Sequence, residues 1–132
     1  MASFGTVGAA AWTPIGELLG VPETRATLAA CVAEIAAVGA AHGVSLTAAS
    51  GARVWRSRLA PASGARVWEL YEQTPPTGTT SMQRDLMAGR PSELDAQTGA
   101  VVRLGRQHGI ATPVHDVLYA VLHPQARRAR QQ

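Results

Sequence analysis

Lysine is absent from this 132-residue chain; all 12 basic residues are arginine. No side-chain amine is therefore available as a proton donor, and arginine, with a pKa above about 12, is a poor substitute. Cysteine occurs once, as Cys31, which excludes a disulfide framework and a thiolate metal cluster. In its alanine-rich surroundings Cys31 reads as a small buried hydrophobe. Aromatic residues make up only 5% of the chain, so its core is expected to consist of Ala, Val and Leu packed between close helices. No run of about 20 uninterrupted apolar residues is present, so no membrane span is predicted. The opening MASFGTVGAAAW lacks the basic region of a secretory signal, and a cytoplasmic protein is expected. No alternating polar–apolar segment of any length appears, which predicts an all-α fold. His42, His108, His115 and His123 fall near expected helix ends, and none forms an HxxxH pair on one turn, so no metal site is expected.

What is there amounts to one domain, long enough to bury roughly two-thirds of its unfolded surface without staples. The formal charge of +3 is carried by Arg127, Arg128 and Arg130, within a basic tail spanning 125–132. Such a tail is expected to be solvated and frayed, and no aromatic residues are interleaved with it to stack on bases. A nucleic-acid partner is not expected.

FGTVGAA near the amino terminus superficially resembles a dinucleotide glycine loop, but no strand precedes it and the GxGxxG spacing fails. A helix of small, tightly packed residues is predicted instead. TPIGELLG follows as a turn and a short helix. The longest helix begins at Pro22 and stops at Gly43, with Leu28, Cys31, Val32, Ile35 and Val38 on one apolar face. ASGARVW then occurs twice, at Ala49–Trp55 and Ala62–Trp68, and the segment 49–68 reads as a local tandem duplication. The second copy is expected to open a helix, ARVWELYEQ. Trp55, in the first, is left as either exposed or a contact patch.

Thr80 with Gln83 fits a capping box, which starts a helix that Gly89 ends. Pro91 and Ser92 are expected to start the next, with Leu94, Val101 and Leu104 as its apolar stripe and Gly109 as its stop. A last helix is predicted from Pro113 to about His123. The polar chemistry is concentrated in SMQRDLMAGRPSELDAQTGAVVRLG, residues 81–105. Helix capping and dipole effects account for much of it. They leave Ser81 and Glu93, one near each helix start, able to share a cleft only if the helices meet steeply.

The run from Thr79 to Leu122 resembles the carboxy-terminal domain of ketopantoate reductases (2-dehydropantoate 2-reductases). The family pattern S-M-x-x-D-x-x-x-G-R-x-[ST]-E-[IL]-D-x-x-x-G is met by Ser81, Met82, Asp85, Gly89, Arg90, Ser92, Glu93, Leu94, Asp95 and Gly99. Similarity extends over nearly the whole chain apart from the duplicated segment. The resemblance implies an all-α helical bundle of the 6-phosphogluconate dehydrogenase C-terminal-like type, with residues 1–124 as a single substrate-binding and dimerisation domain. It also implies a Rossmann domain carrying NADPH on a separate segment or partner chain, a 2-oxo acid such as ketopantoate as substrate, and a homodimer. By resemblance Ser81 binds substrate, while Glu93 is catalytic and supports the substrate hydroxyl and a proton-donating lysine. Asp85, Arg90 and Asp95 fix the helix pair. The expected lysine and dinucleotide loop have no counterpart here, so the chain is expected to be inactive alone. The competing expectation is a non-catalytic helical remnant that binds a protein or a small acid.

Overall fold

The computed structural model describes residues 2–43 and 63–131. Seven helices lie among them, and no strand. They are α1 (Ala2–Ala11), α2 (Ile15–Gly20), α3 (Pro22–Ala41), α4 (Ser63–Gln73), α5 (Ser81–Met87), α6 (Leu94–His108) and α7 (Pro113–Ala129). The all-α expectation holds. Trp55 and the first ASGARVW copy lie outside the described residues, while the second copy enters α4 from Ser63.

The glycine-containing amino-terminal run is a helix, α1, buried continuously from Ser3 to Ala9. A helix apolar on every side has no face to give to water and belongs at the centre of a bundle. Phe4 and Val7 join Ile15, Leu18, Leu28, Cys31 and Tyr71 in one apolar cluster. Ala9 belongs to a second, with Met82, Leu86, Leu94, Leu122 and Ala126. Few large rings are available, and three of them share one corner. Phe4 and Trp68 each meet Tyr71 edge-on, at 6.0 and 5.7 Å between centroids, and the Arg25 guanidinium lies over Trp68 at 5.1 Å.

Side-chain hydrogen bonds cross between helices inside this core. Ser3 bonds Tyr71, and Thr6 meets Thr98 at 2.6 Å. Glu34 of α3 reaches the start of α7, where Thr112 provides no side-chain cap. Its carboxylate accepts from Val114 N at 2.8 Å, His115 N at 3.1 Å and His115 Nδ1 at 2.6 Å. The unpaired N–H groups of a helix start favour an anion, and α3 supplies it from a distant part of the chain. His115 is fully buried and its Nε2 has no partner.

Several boundaries differ from expectation. α7 does not end at His123 but continues through Pro124 to Ala129, because Ala126 and Ala129 are buried and Arg130 pairs with Asp95. The basic segment is thus largely helical and docked, not frayed. His123 accordingly falls in the interior of α7, while His115 keeps its expected place near a helix end, in the first turn. On α6 the buried stripe runs through Leu94, Thr98, Val102 and Gly105, while Val101 and Leu104 are half-buried. On α3, Val32 and Ile35 are also half-buried, and the polar Glu34 takes an inward place. By length and composition α3 also qualifies as a possible membrane span, which the uninterrupted-run criterion did not show. Here it packs as a bundle helix whose carboxylate holds α7. Gly43, Gly89 and Gly109 all have positive φ, as helix-stopping glycines require.

Two glycines of α1 set its distance from α5. A Cβ on Gly5 would lie 2.5 Å from Thr80 Oγ1 and 2.9 Å from Met82 Cε, and one on Gly8 would lie 2.7 Å from Gln83 Oε1. Gly39 on α3, by contrast, has nothing within 4 Å of that position. Gly39→Ala should therefore stabilise the protein by about 0.5–1 kcal/mol through backbone entropy. Gly5→Ala should destabilise it, because overpacking of about 1–3 kcal/mol outweighs the same gain. Paired thermal melts check the opposite signs. Glu34→Ala, which strands three donors, should cost about 3 kcal/mol or more, read from the urea midpoint at unchanged slope.

Candidate functional site

Thr80 stands outside α5 with extended backbone, and its Oγ1 accepts from Gln83 N at 3.1 Å. This makes Ser81 the first helical residue and leaves it exposed. Met82 and Leu86, on the opposite face, anchor the helix in the second apolar cluster. The capping box is only half formed. Gln83 does not reach back to the cap but turns inward, where its Nε2 donates to Thr13 O at 2.9 Å. Its Oε1 faces Gly8 without a partner.

The turn after α5 is locked by one arginine. Arg90 N donates to Asp85 O at 2.8 Å, and its Nε and Nη2 converge on Asp85 Oδ1 at 3.0 and 2.7 Å. The next helix starts later than its Pro-Ser sequence suggests, at Leu94. Glu93 is its N-cap residue, with Gln97 N donating to its carbonyl at 2.9 Å. The Glu93 carboxylate is exposed and accepts one long bond from Gln97 Nε2, at 3.4 Å. Ser81 and Glu93 thus each sit at a helix start. Both helices pack on α1 and on α7. No direct hydrogen bond joins the two side chains, and both are available to solvent.

Asp95, in the first turn of α6, does structural work. Its carboxylate accepts from Tyr119 and pairs with Arg130, and its carbonyl accepts from Arg103 Nη2 at 3.0 Å. His123 Nδ1 lies 3.4 Å from Asp95 Oδ1, close enough for an ion pair but without hydrogen-bond geometry. Asp95 therefore bolts the start of α6 to the end of α7. The Tyr119 hydroxyl holds its carboxyl below the ordinary carboxylate value of 3.8, and Arg130 and His123 add to the effect against the opposing pull of burial.

Sequence reasoning missed Glu34 and His115, because one acid in an alanine-rich helix and one histidine 81 positions away carry no shared local signal. Cys31, one helical turn from Glu34, is not a nucleophile. Burial, and secondarily the Glu34 charge, push its thiol up to about 12, so almost no thiolate forms near neutrality. Among the described residues no group of three or more His, Cys, Asp or Glu side chains is placed to hold a metal.

A carboxyl held below its unfolded value gives stability that is present above about pH 4. That stability is lost as pH falls through the lower folded value. Asp95→Asn should be less stable than wild type at pH 5–6, and the gap should close as both are acidified below about pH 4. Urea midpoints measured from pH 6 to 3 check this; a gap that stays constant would rule out the carboxylate as its source.

Comparison with known proteins agrees with this architecture. The sequence profile of the family described as ketopantoate reductase PanE/ApbA C terminal matches residues 1–126. A 2-dehydropantoate 2-reductase from Mycobacterium tuberculosis is 42% identical over 71 residues, covering 54% of this chain and 24% of that protein. The fold matches a dimeric ketopantoate reductase from Staphylococcus aureus with a TM-score of 0.78 at 20% identity, over 96% of this chain and 40% of that one. It also matches a D-mandelate dehydrogenase, solved with NADH and anilino(oxo)acetate, with a TM-score of 0.75 at 23% identity, over 98% of this chain and 38% of that one. The chain thus spans about a quarter of the length of the curated relative and about two-fifths of the solved chains. With the family profile matching almost its full length, the chain belongs to the ketopantoate reductase family and has the fold of its carboxy-terminal helical domain.

Proposed function

We propose that this chain is the substrate-contacting helical part of an NADPH-dependent 2-dehydropantoate 2-reductase-like oxidoreductase of the pantothenate pathway, acting in the cytoplasm. The observation that carries the reading is the placement of Ser81 and Glu93. Each opens a helix, each is solvent-accessible, and both helices are seated on the same two supports, α1 and α7. In this reading the Ser81 hydroxyl hydrogen-bonds the substrate. Glu93 accepts from the substrate hydroxyl and orients the amine that supplies the proton. Asp85, Arg90 and Asp95 hold the two helix starts in register. The substrate class is a 2-oxo acid such as ketopantoate. The neighbour bound to anilino(oxo)acetate supports a class broader than one compound.

NADPH does not fit the described residues. The glycines that superficially resemble a dinucleotide loop are inside α1 and face Thr80 and Gln83 in the core. No lysine is present to supply the proton. Cofactor and proton donor are therefore assigned to a Rossmann-type segment or partner chain, and the chain alone is expected to bind substrate weakly without turnover. Val117 and Val121, 63% and 65% exposed one turn apart on α7, suit burial against another surface in a homodimer or against that segment. The second reading, a non-catalytic interaction module, needs only this apolar surface and no ligand.

Calorimetric titration of pantoate separates the two readings. Weak saturable binding is expected for the wild-type chain, falling about fivefold in Glu93→Gln and in Ser81→Ala, in line with loss of a solvent-exposed hydrogen bond worth about 1 kcal/mol. Absence of binding, or equal binding by all three proteins, would refute the substrate-site assignment and favour the interaction module.

A further inference from the structure

Two histidines outside the proposed site come together from opposite parts of the chain. His42 caps the end of α3 and His108 closes α6, each followed by a glycine in the left-handed conformation, Gly43 and Gly109. The two His-Gly stops converge although 66 residues separate the histidines. His42 Nδ1 lies 2.9 Å from His108 Nε2, with ring centroids 5.1 Å apart and planes inclined at 68°. His42 is exposed and His108 half-buried, so the pair is open to solvent.

We propose that His42 and His108 form a two-imidazole site for a divalent transition metal, with Cu(II) the best occupant. A neutral pair at this distance shares one proton in an N–H···N bond. If the donor ring moves that proton to its other nitrogen, both facing nitrogens become lone-pair ligands. Metal–imidazole bonds of about 2.05 Å place cis nitrogens about 2.9 Å apart at 90°, against about 3.3 Å at a tetrahedral angle. The observed 2.9 Å is the length of an ordinary hydrogen bond and brings the two nitrogens within the span one ion needs; Cu(II), which suits imidazole ligands, heads the affinity order. The rings now point almost head-on along the hydrogen bond, so each must swing by about 45° to aim its lone pair at a shared ion. The carbonyl-rich ends of two helices favour a cation there, and the nearby positive side chain of Arg106 is already paired with Asp116 at 2.9 Å. No local spacing marks the pair, because the two histidines come from different helices, 66 residues apart. A bound ion would staple the end of α3 to the end of α6.

The other histidines are poorer ligands. His115 is sealed in the core with Nδ1 on Glu34, and His123 faces an Asp95 already occupied by Arg130. The test is a Cu(II) titration of the 132-residue chain in non-chelating buffer, followed by calorimetry and by electron paramagnetic resonance. One saturable equivalent with two coordinated nitrogens is expected. His42→Ala and His108→Ala should each weaken it at least about tenfold, and His123→Ala should leave it unchanged. No saturable equivalent, an equivalent indifferent to either His42→Ala or His108→Ala, or one lost in His123→Ala would each overturn the paired site.

Discussion

Two missing Cβ atoms govern how close α5 comes to α1. At Gly5 and Gly8 the volume that a side chain would fill is taken by Thr80, Met82 and the Gln83 amide. Thr80 is also the residue that caps α5, so the close approach and the helix start are one arrangement, not two. Ser81 follows directly, and its outward position is a consequence of the same contact. Gln83 extends the coupling. Its backbone N–H is bound by the cap, and its side chain reaches Thr13, just past the end of α1. A shift of α5 by one methyl group's width would disturb the cap, the buried amide and the direction of the serine together.

Few aromatic rings are available to fill the interior, and the bundle answers with small side chains and polar cross-links. Each cross-link joins helices remote in sequence: Ser3 to Tyr71, Thr6 to Thr98, and Glu34 to Val114 and His115. A buried hydrogen bond contributes only about 1 kcal/mol net, but leaving a buried donor unmatched costs more, so such pairs penalise wrong helix registers more than they reward the right one. Glu34 is the strongest case. Its single carboxylate satisfies two backbone donors and one ring nitrogen, and α7 has no side-chain cap of its own. With α3 and α7 fixed in this way, α7 is free to present Tyr119 and Arg130 to Asp95, and that contact sets where α6 begins.

The helical class, the glycine stops and most helix starts were legible because they are local: a proline at a first turn, a left-handed glycine at a last one, or an apolar period of three to four. Residues 81–99 were legible for another reason, since a dense motif constrains spacing more tightly than composition does. Illegible features were those decided across the fold. Nothing around Pro124 announces that the helix runs past it, because the buried Ala126 and Ala129 and the Arg130–Asp95 pair lie beyond the proline or on another helix. Nothing near Glu34 marks an inward carboxylate, since its partners lie 80 and 81 positions later. The stripe of α6 was misjudged for the same reason. Thr98 takes a core position because Thr6 is there to bond it, and a hydrophobic count rejects a threonine.

The exposure of Ser81 and Glu93 bears on how such a site can work. A carboxylate facing water interacts with a charge about 4 Å away by only about 1 kcal/mol, and the same pair at an effective dielectric near 20 by about four times as much. An open helix start can therefore orient a hydroxyl but gains little discrimination or proton control from it. Covering the two helix starts with a second surface would remove water, shorten the long Glu93–Gln97 contact's competition with solvent, and raise the worth of each bond without moving any residue of this chain. In the proposed function that second surface also carries the cofactor and the amine, so desolvation and completion of the site happen in one step. Under that proposal, the rigid fork of Arg90 on Asp85 and the Asp95 bolt would hold two helix starts in place, so that closure, not rearrangement of this bundle, would assemble the site.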